Sequence, residues 1–227
     1  MTYKKFPSRV TFSRQQPAVR RLGTLRYFCT VCVVTYLTFL ANYGLHALAE
    51  LPQNDIAQRE EFIDVVGDKY RLPGPGESKA VVLFFVGYDC PISNSYAKEI
   101  VRLSKEFMPK KVDFCVVYAD ADISKDRASK HAKEFGLCCP AILDPNMTLA
   151  QKVGATVKPE VAVLSPLGEL LYRGRIDNRY VDFGKRREHV TSHELRDAVE
   201  AILAGNKIAT PRTKAIGCDI DFPKTAK

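Results

Sequence analysis

Residues 80–86, AVVLFFV, form a continuous apolar run of β-branched and aromatic side chains. Such a run is short for a helix and has no polar alternation, so it reads as a strand buried on both faces. A second run of the same kind, VDFCVVY, lies at 112–118. Between them Tyr96, Ile100, Leu103 and Phe107 recur at helical spacing, and Ser93, Asn94 or Ser95 is expected to cap the helix start. Two doubly buried strands joined by a helix require a sheet with parallel neighbours and helices to cover it.

The other segments extend this frame. FIDVVGDKYRL (62–72) predicts a small hairpin around Gly67-Asp68, and LPGPGES (72–78) a loop. Residues 124–135 are polar and helical, stopped by Gly136. Residues 141–143 are a short strand, and 147–153 supply a turn or two of helix. EVAVL (160–164) and ELLYR (169–173) flank Ser165-Pro166-Leu167-Gly168 as a hairpin. An amphipathic helix over 192–203 carries Leu195, Val199, Ile202 and Leu203, with Ser192 as its expected cap and Gly205 as its stop. The order is βαβα, then a hairpin, then α. It predicts an α/β, thioredoxin-like three-layer sandwich, a mixed central sheet with helices on both faces, preceded by an N-terminal hydrophobic helix.

The net charge of +8 is concentrated at one end. Lys4, Lys5, Arg9, Arg14, Arg20, Arg21 and Arg26 precede the first acidic residue, Glu50, and the rest of the chain is close to neutral. That pattern argues for targeting and against nucleic-acid binding. Residues 27–49 carry no charged side chain, and Ala47-Leu48-Ala49 fits a small-x-small cleavage pattern. Residues 1–26 therefore read as a basic cytoplasmic n-region, and 27–49 as either a signal-peptide core or an uncleaved transmembrane anchor. Residues 50–59 are a linker, 60–205 the folded domain and 206–227 a tail. The domain is expected on the periplasmic or another extracytoplasmic side, secreted or anchored in the inner membrane.

Seven cysteines need sorting. Cys29 and Cys32 sit in the hydrophobic segment and are expected to be inert. Cys115, between Phe114 and Val116, reads as core, and Cys138-Cys139 as two reduced thiols, one inward and one outward. Cys90 stands between a buried strand and the first turn of a helix, where unpaired backbone N–H groups and the helix dipole favour an anion. The thiolate is the reactive form of cysteine, so Cys90 is the candidate nucleophile. The run Cys90-Pro91-Ile92-Ser93 lacks a C-x-x-C dithiol, and Asn94 stands where C-x-x-x-C would put a second sulfur. His46, His131, His189 and His193 are scattered and read as solvated surface or loop residues, so no metal or other cofactor is expected. Arg173, Arg175 and Asp177 read as a surface ion-pair lattice.

The segments FFVGYDCPISNSYAKEI, HAKEFGL, LDPNMTLAQKVGATVKPEVAVLSPLGELLYRGRIDN, LRDAVEAILAG and TKAIGCDI resemble the redoxins of the alkyl hydroperoxide reductase/thiol-specific antioxidant superfamily, in its peroxiredoxin-like branch. The resemblance spans roughly residues 60–220. It implies the thioredoxin fold, a reactive thiol at Cys90 and a cis-proline at Pro159. Placement in the tail makes Cys218 the candidate to resolve oxidised Cys90; the alternative is a structural or free thiol. Peroxidatic cysteines lie in P-x-x-x-[TS]-x-x-C, whereas this chain has Leu83 and Gly87 at those places. It therefore lacks stabilisers of peroxide attack.

The expected function is thiol–disulfide exchange on protein thiols or disulfides, with Cys90 attacking, Pro159 presenting backbone to substrate, and Cys218 or an external reductant completing the cycle. The alternatives are a weak thiol peroxidase acting on a small hydroperoxide through a sulfenic acid, and a non-catalytic thioredoxin-fold adaptor.

Overall fold

A computed structural model describes residues 60–72 and 78–223. The basic and hydrophobic segments, residues 1–49, and the linker at 50–59 lie outside the described residues, as does most of the 72–78 loop. Among the described residues no helix is long and apolar enough to cross a membrane.

The strands are β1 (Glu60–Ile63), β2 (Lys69–Leu72), β3 (Ala80–Val86), β4 (Val112–Tyr118), β5 (Ala141–Leu143), β6 (Val157–Lys158), β7 (Glu160–Leu164), β8 (Leu170–Gly174), β9 (Tyr180–Asp182), β10 (Lys185–Arg186) and β11 (Cys218–Asp219). The helices are α1 (Pro91–Phe107), α2 (Lys125–Glu134), α3 (Thr148–Val153) and α4 (Glu194–Leu203). The central sheet has the order β5-β4-β3-β7-β8. Its β3–β4 and β4–β5 pairs are parallel, while β3–β7 and β7–β8 are antiparallel, so the sheet is mixed.

The continuous hydrophobicity of β3 follows from its place at the middle of this sheet. Ala80, Val82, Phe84 and Val86 face a cluster with Ile92, Tyr96, Ile100, Leu103 and Phe107 of α1 and Leu195, Ala198 and Val199 of α4. Val81, Leu83 and Phe85 face the opposite cluster, with Leu149, Ala150 and Val153 of α3. Each large apolar side chain buried here contributes about 1.5–3 kcal/mol, before the entropy of ordering it is counted. The sheet edge at β5 is covered by the β1–β2 turn. Val65 donates to the Ala141 carbonyl at 2.8 Å, and Asp64 bridges Ile142. Covering an edge in this way blocks unwanted strand pairing.

Two expected helix starts shift. Helix α1 begins at Pro91, with Cys90 as N-cap, so Ser93 lies inside the helix instead of capping it. Proline at N1 has its φ preset and no N–H to satisfy, so it fixes the start directly after the cysteine. Helix α4 begins at Glu194 with His193 as N-cap, one residue beyond the expected Ser192. The tail is woven into the domain. Thr213 Oγ1 accepts from the Arg175 amide at 3.0 Å and lies 2.8 Å from the Tyr172 hydroxyl, and the Thr213 amide donates to the Arg173 carbonyl at 3.1 Å. Gly174, at φ +151°, makes room for this, because a Cβ there would meet Thr213 Oγ1.

Candidate active site

Cys90 sits at the C-terminal end of the β3 segment, where the chain turns through Gly87-Tyr88-Asp89 into α1. Gly87 donates its amide to Ser93 Oγ at 3.2 Å. A Cβ on Gly87 would approach the Cys90 Cβ to 3.0 Å, so the tight corner suits a glycine. The residue at the second-sulfur place of a C-x-x-C motif, Ser93, thus braces the corner. Because Pro91 offers no N–H, the amides of Ile92 and Ser93 are the first-turn donors left without an intrahelical acceptor, and no side chain caps the helix. The dipole effect on a thiolate there is about 0.3–1 kcal/mol.

The sulfur at this position is bonded to Cys218, with the Cα atoms 6.3 Å apart and the partners 128 residues apart in sequence. The Lys158–Pro159 peptide is cis. Cys90 Sγ lies 3.1 Å from the Lys158 carbonyl oxygen, which would accept a hydrogen bond from the thiol once the bridge is reduced. Strand β11 pairs antiparallel with β6, placing Cys218 opposite Lys158 and Asp219 opposite Val157. Cys90, Pro159 and Cys218, singled out separately in the sequence, are therefore brought together. Cys90 is only 2% exposed, more enclosed than a strand-to-helix corner suggests, because the tail lies over it.

Two supporting groups were not visible as such in the sequence. Glu160, buried directly after the cis-proline, accepts from the Thr156 amide at 2.7 Å, and its other oxygen is 3.5 Å from Arg173 Nε. Its carboxylate thereby steadies the loop leading into β6. Asp177 was expected on a surface lattice; it is 2% exposed instead. It accepts from the Tyr96 hydroxyl at 2.7 Å and the Arg179 amide at 2.9 Å, and pairs with the Arg179 guanidinium at 3.3 Å. Arg179 in turn donates to the Ser95 carbonyl and lies over the Tyr96 ring. Burial, then the Asp177 hydrogen bond, push the Tyr96 phenol well above its usual range. Arg173 and Arg175 belong elsewhere, paired with Glu160 and Glu194. The sequence signal was present, since Tyr96 and Asp177 both fall inside family-like segments, but polarity alone argued for the surface.

His131 also departs from expectation. It is buried, 2.8 Å from the Tyr118 hydroxyl through Nδ1 and 2.9 Å from Asn94 Oδ1 through Nε2. Burial lowers its pKa, against the opposing pull of Glu134. Among the described residues no group of side chains is arranged to hold a metal ion. Cys115, Cys138 and Cys139 are free thiols; Cys138 is exposed and Cys139 buried, one outward and one inward. Burial pushes the Cys139 thiol up to about 11, and Cys115 upward too.

A mixed sheet with helices on both faces, a cysteine at the N-terminus of the first domain helix and a cis-proline beside it define a thioredoxin-like α/β protein with a disulfide at that helix start. The Redoxin family model matches residues 67–182, and the chain belongs to the redoxin family. No curated protein matches it. An uncharacterised conserved protein from Geobacillus kaustophilus is similar in structure, with a TM-score of 0.66 and 25% identity, over 78% of this chain and 96% of that one. A hypothetical protein from Sinorhizobium meliloti 1021 aligns with a TM-score of 0.65 and 22% identity, over 74% and 93% of the two chains. The C-terminal domain of a Bacteroides thetaiotaomicron protein described as a thiol-disulfide oxidoreductase shares the fold at a TM-score of 0.50 and 18% identity, over 66% and 94%.

Proposed function

We propose that this protein is an exported or membrane-anchored thiol–disulfide oxidoreductase in which Cys90 is the attacking thiol and Cys218 the resolving one. The observation that carries the reading is the Cys90–Cys218 bond at the N-terminus of α1, beside the cis-proline. In the reduced protein the amides of Ile92 and Ser93 favour the Cys90 thiolate. The thiolate attacks a protein disulfide to give a mixed disulfide, and Cys218 attacks Cys90 to release the substrate thiol. The uncharged segment 27–49 behind a basic N-terminus supports export or anchoring.

Peroxide chemistry has less support. The position three before Cys90 is Gly87, which offers no hydroxyl, and Leu83 is packed in the core. Trapping tests the reading. Cys218→Ser protein, reduced and mixed with oxidised protein extract, should accumulate mixed disulfides through Cys90. An adaptor would give none. Rapid hydrogen peroxide consumption by the wild type would move the assignment to a peroxidase.

A further inference from the structure

The strand that delivers Cys218 has features that a partner sulfur need not have. Gly217 passes so close to the cis-peptide that a Cβ on it would lie 2.2 Å from the Lys158 carbonyl oxygen, 2.5 Å from its carbon and 2.9 Å from Pro159 N. All three are backbone atoms, which cannot swing aside as a flexible side chain would. Ile216 lines a small pocket with Tyr96, Pro159, Ile176 and Tyr180 and with the charged side chains Arg175 and Asp177. On the far side of the cysteine, the Ile220 amide donates to the Thr156 carbonyl at 2.9 Å and its side chain is buried. Backbone pairing with β6, a glycine in the narrow gap and an apolar side chain at the wall beside Pro159 and Ile176 are the parts of an extended-peptide site.

We propose, resting on the exchange reading above, that Ile216-Gly217-Cys218 occupies the substrate's own place, and that the substrates are extended protein segments with a glycine immediately before the reacting cysteine and an apolar residue before that. A larger residue in the glycine position would force the segment away from Lys158 and carry its sulfur off line from Cys90. The tail acts as an internal competitor. After reduction, its segment beyond the Thr213 anchor must lift from β6 before a substrate can pair there.

The electrons balance within one turnover. The Cys90 thiolate attacks the substrate cysteine's sulfur; that sulfur's old partner leaves as a thiolate and is protonated by solvent. The substrate segment then lifts from β6 while still joined to Cys90, the tail returns to β6, and the Cys218 thiolate attacks Cys90 Sγ and expels the substrate cysteine as a thiolate that solvent protonates. One substrate disulfide becomes two thiols, and the Cys90/Cys218 dithiol becomes the disulfide.

The test is a single-turnover measurement with pre-reduced full-length protein and the peptide Ala-Ile-Gly-Cys-Asp, its cysteine linked to 2-nitro-5-thiobenzoate, using Cys90→Ser protein as the blank. Replacing the peptide's glycine with alanine should slow chromophore release by about tenfold, and valine more. Replacing its isoleucine with aspartate should slow it several-fold. Gly217→Ala in the protein unseats the competing tail, so it should speed reaction with the glycine peptide. Equal rates across the peptides would overturn the specificity, and an unchanged rate in Gly217→Ala would overturn the competition. A small aromatic disulfide, with no backbone to pair, keeps the two readings apart. Its reaction at Cys90 with no peptide discrimination sinks only this inference, whereas failure to react at Cys90 sinks the exchange reading itself.

Discussion

The same residue type stands in two contrasting places. Cys90 lies where β3 meets α1, at a bare helix N-terminus and bonded to the tail. Cys115 and Cys139 lie among the β4 and β5 strands, where burial raises their thiol pKa values. Both regions are almost sealed from solvent, Cys90 at 2% exposed and Cys139 at 7%. Burial therefore does not separate the sulfur proposed to react from a packing sulfur. What separates them is position: Cys90 is the N-cap of α1, next to helix amides that have no intrahelical acceptor, whereas Cys115 lies within β4 and Cys139 just before β5.

The largest effect expected from breaking this contrast is on exchange. Cys90→Ser should reduce turnover of a protein disulfide to the buffer background, while Cys115→Ser and Cys139→Ser should leave it near wild type. A fluorescent insulin-type reduction assay reads this, and loss of activity in Cys139→Ser would erase the distinction. Next comes stability in the oxidised state. Cys218→Ser opens a loop whose ends are 128 residues apart, which should cost about 3–4 kcal/mol in denaturant unfolding. Cys138→Ser, at an exposed free thiol, should cost little.

Asp177→Ala should follow, at about 3 kcal/mol, because it removes the acceptor of the buried Tyr96 hydroxyl and the carboxylate partner of Arg179, which keeps only the Ser95 carbonyl. Asp177→Asn, which retains an acceptor oxygen, should cost less. The smallest effect is that of pH on His131. Its imidazole is held neutral by burial, so its folded-state pKa lies under the ordinary 6.5. As pH falls below that value the unfolded chain takes up the proton first. Stability should decline, then level off once the folded imidazole also protonates. His131→Gln should flatten that part of a melting-temperature profile between pH 5 and 7.

The sheet was largely legible in the sequence because β3 and β4 are buried on both faces, and nothing but a central strand tolerates such runs. Cys90 was legible for a related reason: a strand-to-helix corner is a local feature. The start of α1 was misplaced because a proline, not a hydroxyl, fixed its first turn. Asp177 and His131 were read as solvent-facing because their polarity is local, whereas the groups that satisfy them, Tyr96 and Tyr118, come from other elements. The tail was legible only as a candidate. Gly217 became meaningful once its approach to Lys158 was known, and no periodicity encodes a contact across the width of the domain.

The most direct measurement is the pH dependence of alkylation of each cysteine in the reduced protein, read by mass spectrometry, with disulfide mapping of an oxidised portion of the same sample. Cys90 should label with a midpoint below the ordinary thiol value of about 8.5, Cys139 near 11, and the oxidised portion should yield the Cys90–Cys218 peptide pair. A Cys90 midpoint as high as that of Cys139, with Cys218 recovered as a free thiol, would contradict the assignment.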